Sequence, residues 1–510
     1  MDSLSNTRST VVPDWPGQRA HLSGDRLALV VGDRRWTYAG LDRLADRMAR
    51  QLTALGVGAG DRVALILANG SEFVGLVHGL TRLGAILVPI NRRLTPAEIE
   101  WQIGDAGAGL LIHDRQHVAT AEAVTDGRPG RRRRLIASDE AIGEIGLTSV
   151  AESERIGRDR IDLGAVQSII YTSGTTGHPK GALITYGNLW WSAVGSALNL
   201  GHRHDDRWLV CLPLFHIGGL SILFRSAIYG IAAIVQERFD PDAVNRAIDE
   251  DGVTIVSVVS TMLQRMLEAR GDRAYPSTLR CVLLGGGPAP RPLLEACASR
   301  NVPVVQTYGL TEATSQVATL APEDALRKLG SAGKPLLGTE LRIARDGADA
   351  VPGEVGEIVV RGPTVSPGYV NPRDASAAWD DGWLRTGDLG YLDDEGFLYV
   401  VDRRVDLIVS GGENVYPAEV EAALLAHPAI EEAGVIGVPD PRWGQAVAAV
   451  IKLRGDAAPS VDEIRAFCRS RLAGYKVPTQ LRFVDALPRN ATGKLLRREL
   501  RGKLIDCSHA

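Results

Sequence analysis

Tyr171-Thr-Ser-Gly-Thr-Thr-Gly-His-Pro-Lys-Gly181 is the stretch from which the rest of the chain can be read. It follows the mostly apolar run Val166–Ile170, which reads as a buried strand. It sets Thr172, Ser173, Thr175 and Thr176 around Gly174 and Gly177, then places Pro179 and Lys180. Glycines let backbone N–H groups turn toward an anion, and hydroxyls add donors around it. A single ammonium at the end suits a phosphate chain. The chain holds seven lysines against fifty arginines, so a lysine here is a choice and not filler. The Gly-Lys-Ser/Thr ending of a P-loop is missing, so the loop is of another kind. A plain Ser/Thr/Gly turn is the alternative for an isolated match.

The match is not isolated. LPLFH follows at 212–216, YGLTE at 308–312 and WLRTGDLG at 383–390. DRRVDLIVSGGENVYPAEVE stands at 402–421 and PRNATGKLLRR at 488–498. In this order the motifs resemble those of the acyl-adenylate-forming superfamily: acyl-CoA synthetases, peptide-synthetase adenylation domains and luciferases. The resemblance covers nearly the whole chain.

A chain of 510 residues is too long for one ordinary core and implies at least two domains. Its net charge of −4 gives no electrostatic case for a nucleic-acid or membrane partner. The basic run Arg131–Arg134 reads as a solvated loop. Five cysteines without metal-ligand spacing imply reduced thiols and a cytoplasmic setting, and Cys211 and Cys281 sit in apolar, core-like runs. The first fifteen residues lack the apolar segment of a signal peptide, and no apolar stretch is long enough to span a bilayer.

Apolar strand-like runs alternate with helical patterns over most of the chain. Examples are Arg62–Leu67 followed by a helical Glu72–Leu83, then Ala85–Ile90, Thr254–Val259, Arg280–Gly285 and Pro303–Tyr308. This alternation argues an α/β class with largely parallel strands. From Gly353 to Val370 the pattern changes to short strands and turns, consistent with a small β-barrel-like part. Residues 128–162 are charged and weakly patterned, and read as loops. A boundary falls near residue 402. The expected organisation is a large N-terminal domain of layered sheets (1–401), a hinge (402–405) and a small α+β C-terminal domain (406–510). The resemblance implies that the last is a mobile lid. Many relatives place Lys or Asp where Val405 stands, which leaves the identity of the hinge residue open.

The resemblance also implies roles. Thr172, Ser173, Gly174, Thr175, Thr176 and Lys180 would hold the β- and γ-phosphates of ATP. Thr311 would touch the α-phosphate, and Glu312 would bind Mg2+, a hard ion suited to oxygen. Tyr308 would lie against adenine. Asp388 and Arg403 would take the ribose, with Gly286 on the nucleotide side. Lys494 would bridge the reacting carboxylate and the α-phosphate. Ser410, Gly411 and Gly412 would line a tunnel for CoA, the acceptor favoured because no carrier domain follows. Each residue alone has a plainer reading, such as a turn former or a solvated helix start.

Finer matches select an acid. LPLFHIGGL at 212–220, LLGGGPAP at 283–290 and LGSAGKPL at 329–336 most resemble the bacterial o-succinylbenzoate–CoA ligases. These activate an aromatic keto-diacid in menaquinone biosynthesis. His216, Gly285 and Gly287 would border the acyl pocket. The second carboxylate of such an acid needs a cation in a mostly apolar pocket. Arg225, within SILFRSAIYG, is the best placed by sequence, with a helix cap at the surface as the alternative. The same chemistry on another aryl or fatty acid is the competing reading. Partners are small molecules, and a homo-oligomer stays open.

Overall fold

The computed structural model describes residues 10–125, 134–137, 152–153, 159–172, 179–286, 291–345, 348–375, 378–402, 408–415, 417–455, 457–488, 497 and 499–500. They fall into two compact units. The first takes the chain to Arg92, Ile103–Ile170 and Gly181–Val401. The second takes Arg93–Gln102, Tyr171–Lys180 and the chain from Asp402.

The α/β layering expected from the alternating pattern is what forms. A six-stranded sheet has the order Lys180–Thr185, Val166–Thr172, Ile86–Pro89, Arg62–Ile66, Leu110–His113 and Arg134–Ala137. From Val166–Thr172 onward its neighbours are parallel. A nine-stranded sheet carries five parallel pairings, from Val304–Tyr308 through Cys281–Leu284, Ile255–Val258, Arg207–Val210 and Ala232–Val235 to Leu27–Val31. Only its two ends are antiparallel. Ile255–Val258 and Cys281–Leu284 are buried at every residue. Parallel strands covered on both faces read as unbroken apolar runs, which is why they were legible.

One apolar core joins the two sheets. It takes Val63 and Leu87 from the first, Val210 and Leu283 from the second, and the helices Ser71–Leu83 and Ile217–Tyr229. Nearly every residue of Ser71–Leu83 is buried, as expected of a helix apolar on most faces. Helix starts are set locally. Thr185 and Asn188 close a capping box on Tyr186–Leu200, and Asp14 accepts from the Gly17 N–H ahead of Pro16.

A third sheet of the first unit is antiparallel, built on Glu340–Arg345, Gly356–Arg361 and Trp383–Leu392. Its described pairings form an open strand order. Two pieces of the segment expected as loops are strands. Arg134–Ala137 pairs with Leu110–His113, and Arg160–Asp162 pairs with Val11–Pro13. Both are edge pairings supplied by partners distant in sequence, and edge strands tolerate charge. Arg134 of the basic run therefore lies in a strand.

In the second unit, Ile430–Asp440 pairs with Gly444–Leu453 over ten residue pairs. The helices Pro417–Leu425 and Val461–Arg469 pack against them through Val420, Leu424, Ile464 and Cys468. The sequence pattern missed Gly444–Leu453 because its alanines carry little strand preference. It also missed the hairpin Ile408–Ser410/Glu413–Val415. Gly411 and Gly412 are its turn, with φ of 58° and 85°. Two central residues at positive φ make the tight hairpin that favours Gly-Gly.

Candidate active site

In the first unit, parallel strands of the nine-stranded sheet end on the sequence motifs. Arg207–Val210 leads into Leu212–His216, Cys281–Leu284 into Gly285-Gly286, and Val304–Tyr308 into Gly309–Glu312. The carboxyl ends of such strands are where open α/β sheets bind ligands.

Tyr308 closes its strand and is buried. Its hydroxyl donates to Asp388 Oδ2 at 2.7 Å. Two residues far apart in the chain, both expected on the nucleotide, are thus in direct contact. Thr311 and Glu312 follow on a 3₁₀ turn, and Thr314 and Ser315 then take φ of 54° and 84°. Non-glycine residues in this region are uncommon and cluster at functional sites. The turn folds so tightly that a Cβ on Gly309 would lie 1.4 Å from the Ser315 carbonyl oxygen. Only glycine fits the second place of YGLTE. A Cβ on Gly285 would come within 3.0 Å of Thr307 Cγ2, and on Gly286 within 2.9 Å of Val259 Cγ1. Close approach of the Thr307 and Val259 side chains, with a φ of 79° at Gly286, favours glycine at both places.

His216 is half-buried at the start of Ile217–Tyr229, its ring 4.5 Å from that of Phe215. Its loop is gripped by Asn69, whose Nδ2 donates to the Leu212 carbonyl at 2.9 Å while its Oδ1 accepts from Leu214 N–H at 3.0 Å. Sequence reading gave Asn69 no part in the site.

Arg225 is 2% exposed, so it is no surface helix cap. Its Nη2 donates to Ser192 Oγ at 3.0 Å, and Ser192 Oγ donates to the Thr314 carbonyl at 2.8 Å. This short relay ties the arginine to the turn that bears Glu312. The guanidinium sits 5.6 Å from the Trp208 ring centroid, within cation–π range. Among the described residues no carboxylate pairs with it, and its Nε has no hydrogen-bond partner. Burial pulls Arg225 below the ordinary guanidinium value, with the Tyr229 phenol opposing the shift. Isolated buried charge is costly, so the arrangement suits an incoming anion.

In the second unit, Thr172 and Lys180 face each other across neighbouring strands, with Thr172 Oγ1 donating to the Lys180 carbonyl at 3.5 Å. Ser410, Gly411 and Gly412 form the hairpin corner, where a Cβ on Gly411 would meet the Trp443 ring at 2.7 Å. Ser173, Gly174, Thr175, Thr176, Gly287, Arg403, Val405 and Lys494 lie outside the described residues.

Among the described residues no three His, Cys, Asp or Glu side chains gather as a metal cage. The half-buried carboxylate of Glu312 fits Mg2+, which is held by one or two carboxylates together with substrate phosphates. The thiols of Cys211 and Cys281 are pushed up to about 12 by burial and are inert core groups. No helix among the described residues is long and apolar enough to cross a membrane. Sequence reading also passed over Ser192 and Tyr369, the latter donating to Glu312 Oε1 at 2.7 Å. Nothing in local pattern marks either one.

Residues 17–370 match the AMP-binding enzyme family, and residues 419–494 match the AMP-binding enzyme C-terminal domain. A 2–succinylbenzoate–CoA ligase of Geobacillus kaustophilus (strain HTA426) is 53% identical over 96% of this chain and 98% of its own. The o-succinylbenzoate CoA synthetase of Bacillus subtilis has been solved in several states. As a double mutant with a product analogue, it superposes at a TM-score of 0.91, 46% identical, covering 97% of this chain and 99% of its own. With the acyl-adenylate intermediate, the TM-score is 0.74 at 46% identity, covering 96% and 98%. With ATP and magnesium ion it is 0.73 at 46% identity, covering 96% and 100%. With both family matches in chain order and relatives of this identity over its whole length, the chain belongs to the AMP-binding, acyl-adenylate-forming enzyme family.

Proposed function

We propose that this chain is an ATP- and CoA-dependent acid–thiol ligase acting on o-succinylbenzoate, as in menaquinone biosynthesis. The acid's carboxylate attacks the α-phosphorus of ATP, and the bond to pyrophosphate breaks. The CoA thiolate then attacks the acyl carbonyl, and AMP leaves. The whole-length likeness to o-succinylbenzoate ligases supports this reaction.

Each residue has a part in the first step. Thr172, Ser173, Gly174, Thr175, Thr176 and Lys180 hold the β- and γ-phosphates that leave as pyrophosphate, and the Lys180 ammonium offsets their charge. Thr311 holds the α-phosphate, and Lys494 bridges it to the carboxylate as charge develops. Tyr308 and Gly286 take the adenine side, and Asp388 and Arg403 the ribose. Glu312 is the carboxylate for Mg2+, which when bound offsets phosphate charge. For the second step, rotation about 402–405 brings Ser410, Gly411 and Gly412 to the CoA path, the lid motion being of the gating kind. His216, Gly285 and Gly287 border the acyl group. The reading places the enzyme in the cytoplasm.

The observation that carries the choice of acid is Arg225, a buried guanidinium with no carboxylate among the described residues. A diacid brings the missing charge. The test is a CoA-thioester assay across a panel of aryl and fatty acids that includes o-succinylbenzoate. Preference for a monoacid would move the chain to another acid within the same chemistry. No thioester with any acid would end the ligase reading.

A further inference from the structure

We infer that Tyr369 is a positioning residue for the metal carboxylate, acting through its hydroxyl on Glu312. The inference rests on the reading of Glu312 as the Mg2+ ligand.

Tyr369 belongs to Ser366-Pro-Gly-Tyr-Val370, a stretch to which the proposed chemistry assigns no part. The segment is tied on two sides. On one side it meets the strand that leaves Lys180. Leu183 N–H donates to the Gly368 carbonyl at 2.9 Å, and Val370 N–H donates to the Gly181 carbonyl at 2.8 Å. Ser366 Oγ adds a bond to the Leu183 carbonyl at 2.7 Å. On the other side it meets the YGLTE turn. Ser366 N–H donates to the Glu312 carbonyl at 2.7 Å, and Tyr369 Oη donates to Glu312 Oε1 at 2.7 Å. Five residues therefore hold both the backbone and the carboxylate of Glu312.

The tyrosine ring is itself fixed. It meets Trp379 edge-on with centroids 5.2 Å apart. A hydroxyl on a rigid ring restricts the rotation of the carboxylate it touches, so Tyr369 helps to orient Glu312 before metal arrives. Groups that orient metal ligands in this way typically carry 10–100-fold in metal affinity or activity. The main-chain bonds of Ser366 and Gly368 do not involve the hydroxyl, so Tyr369→Phe leaves the strap and the ring contact in place.

The test uses the full chain with a non-hydrolysable ATP analogue and Mn2+ as a paramagnetic probe read by electron paramagnetic resonance. Tyr369→Phe is expected to weaken Mn2+ binding about 10-fold. Its unfolding temperature and its metal-free affinity for the analogue should match wild type. In turnover, the Mg2+ concentration for half-maximal rate should rise, and saturating Mg2+ should recover most of kcat. Glu312→Gln is measured beside it. If Glu312→Gln weakens Mn2+ binding and Tyr369→Phe does not, the positioning role is overturned and the metal reading stands. If neither variant changes Mn2+ binding, the metal reading of Glu312 falls and takes this inference with it. If Tyr369→Phe loses the analogue equally with and without metal, the tyrosine is a packing residue and the inference is wrong.

Discussion

The proposed choice of acid rests on one side chain, Arg225. Its guanidinium is held by Ser192 and the Trp208 face, and a distal carboxylate would complete its partners. Arg225→Ala should then strand that carboxylate without a cation. Truncating one member of a buried charge pair costs about 3–5 kcal/mol, and half of that where water reaches the site. The loss should appear in kcat/KM for o-succinylbenzoate, while an analogue lacking the distal carboxylate is nearly unaffected. Arg225→Lys should restore part of the activity, since charge matters more here than fork geometry. An equal fall for both acids would make Arg225 a packing residue. The position of Arg225 in an apolar run was legible in the sequence. Its burial and its relay through Ser192 to Thr314 were not, because those bonds join residues far apart in the chain.

At the level of elements, the parallel strands that carry the motifs are pinned by Asp206, just before Arg207–Val210. Asp206 is 2% exposed and accepts from Arg280 Nε at 2.7 Å and Nη2 at 2.6 Å, and from Thr254 Oγ1 at 2.8 Å. One carboxylate thereby joins the starts of three adjacent strands. Burial raises its pKa, but the bonds from Arg280, the Arg203 N–H and Thr254 outweigh this and hold it below the usual carboxylate value. A depressed folded pKa contributes stability above the unfolded value near 3.8, and that stability is lost as pH falls through the folded pKa. Asp206→Asn should cost about 3–5 kcal/mol at pH 7, because it leaves Arg280 without its counter-charge. In urea unfolding, the gap to wild type should hold from pH 7 to 5 and narrow only below about pH 4. A gap that closed between pH 7 and 5 would show that another group is responsible. The hairpin at Gly411 and Gly412 teaches a related lesson. Two glycines there read as room for a thin ligand, yet positive φ at both already demands them. A Gly412→Leu test of the CoA path would therefore strain the turn as well.

Across the whole molecule, two half-reactions are assigned to different parts of one chain. On the proposed reading, Lys494 belongs to adenylation alone. Lys494→Ala should lower acyl-adenylate formation, measured by pyrophosphate exchange, by at least the ~10²–10³ typical of one electrostatic contact at a transition state. Thioester formation from supplied acyl-adenylate should survive. Equal losses in both half-reactions of a folded variant would remove that assignment.

The chemistry and the α/β class were legible because they are written locally. A phosphate loop needs its glycines, hydroxyls and lysine within a few residues, and buried parallel strands need consecutive apolar side chains. YGLTE could be recognised, but why its glycine is obligatory needed the Ser315 carbonyl beside it. The contacts that orient the site were decided only by tertiary structure. Tyr308 meets Asp388 and Tyr369 meets Glu312 through one hydrogen bond each, and Asn69 grips the loop of His216 through two, all across long separations. A single long-range hydrogen bond imposes no period and no spacing on the sequence, so folding alone brings its two ends together.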